Sequence, residues 1–258
     1  MNYVFASLSD PGLVRPNNED ALVVDAAHRL VFLADGMGGY NAGEVASSMA
    51  IAQMRAGMLD FQLQHPEAQA SDWVRQLHQC LHDTNQRIYE AAQTHMEYDG
   101  MGTTLVGLCL LPDHAVLGHV GDSRCYRWRD GALSLLTRDH SLLQEQIDAG
   151  LVSGADSPMA ARRNLLTRAV GVEDSVVMDV QTVPVQDRDV FLLCSDGLTD
   201  MLSEEHVVYL LQQSDDLQER CEALVGAAKE AGGRDNISVV LVQALGAARL
   251  RLPHWLGL

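Results

Sequence analysis

Two apolar runs of this sequence end in the same dipeptide. Residues 30–39 read L-V-F-L-A-D-G-M-G-G and residues 190–197 read V-F-L-L-C-S-D-G, so Asp35 and Asp196 each close a stretch of bulky apolar residues. A carboxylate cannot join the core of such a strand unless it is paired or coordinated. Each acid is therefore expected just past its strand's end, where the glycines let backbone approach whatever is bound. A single Asp-Gly is the ordinary mark of a β-turn. Two of them, each closing a fully apolar run, make a site a competing reading. Asp122, in G-H-V-G-D-S-R after the run 115–120, takes the same posture, and Asp235 stands at the mouth of the last apolar run in G-G-R-D-N-I-S-V-V. The loop G-L-V-R-P-N-N-E-D places Arg15, Glu19 and Asp20 together. Its plain reading is a solvated polar loop; its chemical reading is hard oxygen ligands beside a phosphate-binding guanidinium.

If Glu19, Asp20, Asp35, Asp122, Asp196 and Asp235 converge, their repulsion must be cancelled by cations, because no lysine cluster accompanies them. All-oxygen, carboxylate-rich ligation selects Mg2+ or Mn2+ over zinc. Two such ions lower the pKa of a shared water and clamp a phosphoryl group for in-line attack. Arg15 beside them would hold the phosphate. The histidines at 78, 82 and 95 share a helical segment without a third ligand at metal spacing, and read as exposed or half-buried helix residues.

The elements that must position these acids follow from periodicity. Strands are expected at 3–9, 21–25, 103–111, 115–120, 124–129, 132–137, 176–183 and 190–194, with a final buried strand after Asn236. A helix over 43–64 carries Val45, Met49, Ala52, Ala56, Leu59 and Leu63 at three- and four-residue steps. A second helix, capped by Ser71, carries Trp73, Leu77, Leu81, Thr84, Ile88, Ala91 and His95. Helices are also expected at 142–149, 203–213 and 216–231. The stretch 141–170, with its Gly, Ser and Pro residues and Arg162-Arg163, breaks the strand rhythm and reads as plain surface or as a flap over a site.

Composition bounds the partners. With 258 residues and 47% apolar content the chain can bury a real core. A formal charge of -17, from 18 basic and 35 acidic residues, disfavours a nucleic-acid or anionic-membrane surface. Five cysteines without a C-x-x-C spacing, three of them inside apolar runs, read as buried reduced thiols of a cytosolic protein. The start M-N-Y-V-F-A-S-L-S-D lacks the pattern of a signal peptide, and no run reaches the ~18 apolar residues of a membrane span. A cytoplasmic protein without a membrane span is expected.

Taken in order, G-L-V-R-P-N-N-E-D-A, L-A-D-G-M-G-G, G-M-G-T-T, G-H-V-G-D-S-R, T-R-D-H-S, L-L-C-S-D-G-L and G-R-D-N-I-S-V-V resemble the metal-dependent serine/threonine protein phosphatases of the protein phosphatase 2C family, in their small bacterial form. The resemblance covers residues 3–244, and although each motif alone is weak, seven in this order are specific. It implies an α+β fold, a four-layer α-β-β-α sandwich of two antiparallel sheets flanked by helices. It implies one catalytic domain over 1–245, with its flap at about 141–170 and a short tail at 246–258. It also implies a centre of two Mn2+ or Mg2+ ions.

Carried over position by position, Asp35 would bridge both metals and the Gly36 carbonyl would ligate one. Asp196 and Asp235 would hold the first metal, and Glu19 and Asp20 would act through metal-bound water. Arg15 would grip the substrate phosphate, and Asp122 with Asp196 would form a third, weaker metal site. Met37 departs from the histidine that many eukaryotic members carry in D-G-H-G-G, so the proton for the leaving oxygen must come from water or from another residue such as His140. The implied partners are phosphorylated serine/threonine proteins and a cognate serine/threonine kinase, for a monomeric enzyme. A non-catalytic phosphoprotein-binding module is the competing class, but it would be expected to lose some of these acids. A two-metal phosphodiesterase or nuclease conflicts with the acidic charge.

Overall fold

The computed structural model describes residues 1–39, 42–152 and 165–246. Arg162, Arg163 and the tail from residue 247 lie outside the described residues. In chain order come β1 (Asn2–Asp10), β2 (Asp20–Asp25), β3 (Leu30–Met37), α1 (Ala42–Gln64), α2 (Ala70–Thr94), β4 (Gly102–Thr103), β5 (Leu105–Leu110), β6 (His114–Val120), β7 (Arg124–Arg129), β8 (Ala132–Leu135), α3 (Leu142–Asp148), β9 (Asp179–Pro184), β10 (Val190–Cys194), α4 (Asp196–Thr199), α5 (Glu204–Leu211), α6 (Leu217–Glu230) and β11 (Ile237–Leu245). One antiparallel sheet runs β1-β11-β10-β7-β8. The other runs β2-β3-β5-β6-β9, with β4 paired to β3.

The central strands are apolar throughout because both of their faces are covered. Along β3, Leu30, Phe32 and Ala34 pack with residues of α1 and α2, while Val31 and Leu33 enter the layer between the sheets. On β10, Val190, Leu192 and Cys194 pack with α5 and α6, and Phe191 and Leu193 face the opposite sheet. Strand β11 divides in the same way, Val239 and Leu241 outward and Val240 and Val242 inward. Three apolar layers separated by two sheets make the α-β-β-α sandwich. Each large side chain buried there contributes about 1.5–3 kcal/mol, which fixes strand register and with it the strand ends.

Several local expectations are corrected. Helix α1 buries Ala46, Ala50, Met54 and Met58, one step round from the stripe of Val45, Met49, Ala52, Ala56, Leu59 and Leu63; Ala52, Ala56 and Leu63 are exposed. Small alanines let α1 lie close on β3, which a hydrophobicity count does not reward. Helix α2 starts earlier than Ser71, with Gln69 as its cap in a capping box with Asp72, and His95 is its exposed C-cap. The strand expected at 103–111 is interrupted at Thr104, and β9 begins at Asp179 rather than at residue 176. All five cysteines are free and buried. No helix among the described residues is long and apolar enough to cross a membrane.

Candidate metal centre

Antiparallel pairing sets the finish of one strand beside the start of its neighbour, and the acids sit at these junctions. Asp20, the first residue of β2, lies opposite Asp35 near the end of β3. Cys194 pairs with Val239, so Asp196 leaves β10 beside the point where Asp235 and Asn236 lead into β11. Val120 pairs with Leu105, which puts the turn of Gly121 and Asp122 next to Thr104. Hydrogen bonds join the two sheets here: Ser195 Oγ donates to Asp20 Oδ2 at 2.8 Å, and the Glu19 amide donates to Asn236 Oδ1 at 2.8 Å.

The junctions surround a cavity of about 510 Å³ lined by Arg15, Glu19, Asp35, Gly36, Asp122, Asp196 and Asp235. Asp20 stands behind its wall, against Ser195, and its Oδ1 is buried without a hydrogen-bond partner among the described residues. Asp35 is not beyond its strand, as the sequence suggested, but inside it. Its amide donates to Thr104 Oγ1 at 2.9 Å, and its carbonyl accepts from the Thr104 amide at 2.9 Å and the Thr103 hydroxyl at 2.8 Å. Asp196 opens the short turn α4, which its Asp-Gly context did not reveal. Arg15 is at the rim, its side chain 56% exposed, with Nη2 2.7 Å from Asp235 Oδ2.

Burial and mutual repulsion act on these acids together. Burial, then Asp20, Asp196, Asp122 and Asp235, hold the Asp35 carboxyl well above the ordinary carboxylate range. Asp196 is raised in the same way by burial and by Asp122, Asp200 and Asp235. Burial pushes Asp20 up to about 6, and burial with Asp139 pushes Asp122 up to about 6. Glu19 is raised by burial, with Arg15 opposing. Such a group of buried oxygens is stable in its ionised form only when positive charge enters among them.

Sequence reasoning missed the polar residues that hold this group. Asn236 ties the entry of β11 to the loop between β1 and β2, donating through Nδ2 to the carbonyls of Asn17 at 2.8 Å and Pro11 at 3.1 Å. Ser47, from α1, donates to the Glu19 carbonyl at 2.6 Å. Gly36 and Gly43 meet backbone to backbone: a Cβ on Gly36 would lie 2.1 Å from the Gly43 carbonyl oxygen, so only glycine lets α1 close over the end of β3. The flanking letters S-D-G and D-N-I were the available signal. Met37 lines the cavity and His140 does not, so those two positions bring a thioether and no imidazole to the reacting space.

The donor set is what a hard divalent cation requires: carboxylate oxygens from several strand ends, a backbone carbonyl at Gly36, and, among the described residues of the cavity wall, no thiolate or imidazole, the Met37 thioether being the one sulfur there. The orphaned, buried Asp20 Oδ1 and the raised carboxyls of Asp35 and Asp196 fit that group.

A sandwich of two antiparallel sheets with a carboxylate cavity at one end defines the class, and the sequence agrees with it. The chain belongs to the protein phosphatase 2C family, whose profile matches residues 15–234. It is 37% identical over 238 residues to serine/threonine phosphatase stp of Listeria welshimeri, covering 91% of this chain and 93% of that protein. The crystal structure of the Mycobacterium tuberculosis serine/threonine phosphatase PstP/Ppp superposes with a TM-score of 0.85 at 35% identity, over 95% of this chain and 100% of that one. The catalytic domain of serine/threonine protein phosphatase PstP in complex with two manganese ions gives a TM-score of 0.82 at 34% identity, over 95% and 99%.

Proposed function

We propose that this protein is a metal-dependent serine/threonine protein phosphatase, hydrolysing phosphoserine and phosphothreonine on protein substrates, with residues 1–245 as its catalytic domain. The observation that carries this reading is the convergence of Asp35, Asp196 and Asp235 from the ends of separate strands on one cavity, with Arg15 at its rim. In this reading Asp35 and the Gly36 carbonyl would hold the ions together with Asp196 and Asp235. Glu19 and Asp20 would act mainly through water, and Asp122 with Asp196 would offer a weaker third position. When bound, the ions supply Lewis-acid activation of water and positive charge against a phosphoryl group.

The chain's own residues do the rest. The Arg15 guanidinium presents a planar fork of donors to two phosphate oxygens at the cavity mouth. The hydrogen bonds of Asp35 to Thr103 and Thr104 fix its backbone, so its carboxylate is presented to the cavity in one orientation. The Met37 thioether has no proton to give, and the His140 ring lies outside the cavity wall, so the leaving serine or threonine oxygen takes its proton from water. Among the described residues no cysteine or histidine nucleophile stands in the cavity wall, which favours a single displacement without a phosphoenzyme.

Manganese in the PstP relative supports a two-ion centre here. Manganese or magnesium suits the all-oxygen donor set. A cognate serine/threonine kinase, a monomeric state and a cytoplasmic location complete the reading. The alternative of a non-catalytic phosphoprotein-binding module finds no support, since every acid such a relative would be expected to lose is present. Hydrolysis of a phosphothreonine peptide with Mn2+ and with chelator tests the proposal. Turnover that requires the metal is expected; a peptide bound but not hydrolysed at any Mn2+ concentration refutes it.

A further inference from the structure

Two histidines and an aspartate gather next to the carboxylate cavity but outside its wall. His119 on β6 and His140, in the turn after β8, stack their rings with centroids 4.7 Å apart and planes 19° apart. Asp179 of β9 lies opposite His119 in the ladder. Ligating atoms of all three lie within 4.8 Å of one another, which invites a metal. The geometry speaks against one. Nearly parallel stacked rings aim their lone pairs side by side rather than at a common point. His119 Nε2 is 2.8 Å from the Arg138 carbonyl, and Arg168 Nη1 already stands 2.9 Å from Asp179 Oδ1 and 3.2 Å from His140 Nε2.

What this cluster fixes is a tautomer. The Gly121 amide donates to His140 Nδ1 at 3.1 Å, so Nδ1 carries the lone pair and the ring proton belongs on Nε2. That nitrogen faces Asp179 Oδ2 at 3.4 Å, and Arg168 holds the same carboxylate in place. Burial, the stacked His119 and Arg168 all hold the imidazole below its ordinary pKa, which agrees with a neutral ring. The His140 amide also donates to the Gly121 carbonyl at 2.9 Å, so one residue grips both polar groups of Gly121. Gly121 has φ +98°, and a Cβ there would lie 2.6 Å from the Thr104 side chain, so this position cannot be anchored by a side chain of its own. The next residue is Asp122, which enters the cavity.

We propose that His140 is a positioning residue for Asp122: by accepting from the Gly121 amide it fixes the backbone turn that leads into Asp122 and so aims that carboxylate into the cavity, and Asp179, facing Nε2, holds the ring in the tautomer that can do so. The inference rests on the reading of Asp122 as a ligand of the weaker third ion. It is tested by Mn2+ titration calorimetry on the full chain with His140→Leu and His140→Asn. Asparagine places an oxygen near the position of Nδ1 and keeps the acceptor, whereas leucine removes it.

His140→Leu should weaken the weakest Mn2+ site about fivefold, the value of one lost hydrogen bond, and His140→Asn should restore it to within about twofold. A folded His140→Leu with the wild-type isotherm, or an asparagine variant as weak as the leucine one, overturns the proposal. Nitrogen NMR of the wild-type protein needs no variant to fold: Nδ1 should resonate as the bare nitrogen and Nε2 as the protonated one, and the reverse assignment overturns the proposal equally. Asp122→Asn separates the two levels. Weakening there without weakening in His140→Leu refutes the positioning role alone, while an unchanged isotherm in Asp122→Asn refutes the third-ion reading and this inference with it.

Discussion

Asp20→Asn should stabilise the metal-free protein and weaken the metal-bound one. Burial pushes this carboxyl from 3.8 up to about 6, against partial help from the hydroxyls of Ser238 and Ser195. At neutral pH the folded protein therefore holds an ionised carboxylate that the unfolded chain solvates better. The interval from 3.8 to about 6 corresponds to about 3 kcal/mol of lost stability. The sign follows from proton counting: between those values the folded state binds more protons, so stability falls as pH rises through the window, and the penalty is complete above about 6. Asparagine keeps the acceptor for the Ser195 hydroxyl, removes the charge, and relieves Asp35 across the ladder. Scanning calorimetry in chelator at pH 7.5 should show the variant melting roughly 5–10 °C higher, with the gap closing towards pH 4. Saturating Mn2+ should reverse the order, because the wild-type carboxylate then has its counter-charge. A variant no more stable than wild type in chelator, or a gap of equal size at pH 4, would refute the reasoning.

Asp35→Asn and Asp196→Asn should each cost about a thousandfold or more in Mn2+-dependent kcat, several kcal/mol of charge stabilisation, with circular dichroism unchanged. Arg15→Ala should raise KM for a phosphopeptide about tenfold, and Arg15→Lys should recover only part of it, since a point charge lacks the fork. Far from the site, Asp189 is fully buried and takes two 2.6 Å hydrogen bonds from Arg129 and one of 2.8 Å from the Gln186 amide. Asp189→Asn should lose about 3 kcal/mol in urea unfolding, because it leaves the guanidinium half-paired.

The parts of the fold that were legible in sequence are those where burial writes directly into residue type. Runs such as V-F-L-L-C are apolar at every position because β10 has helices on one face and a sheet on the other. Asp35 and Asp196 stood out because a charge at the end of such a run has no bland place to go. The rest depends on distances between segments remote in sequence. Asp35 continues β3 because Thr103 and Thr104 come back to pair with it, and nothing local announces that return. The buried face of α1 was misplaced by one step because the sequence offers two apolar stripes, and only contact with β3 selects the smaller one. Asn236, Ser195 and Thr104 are ordinary polar letters until register sets them beside the acids. His140, weighed as a proton donor from sequence, spends Nδ1 on Gly121 and turns Nε2 towards Asp179.

The central claim, that carboxylates from separate strands hold a pair of hard cations, is tested most directly by crystals grown with Mn2+ and measured at the manganese edge. Two strong anomalous peaks are predicted in the cavity, one shared through Asp35 and contacting Asp196 and Asp235, the other adjoining the Gly36 carbonyl. A map with no peak among these side chains, or with its strongest peak at His119, His140 and Asp179, would contradict the account.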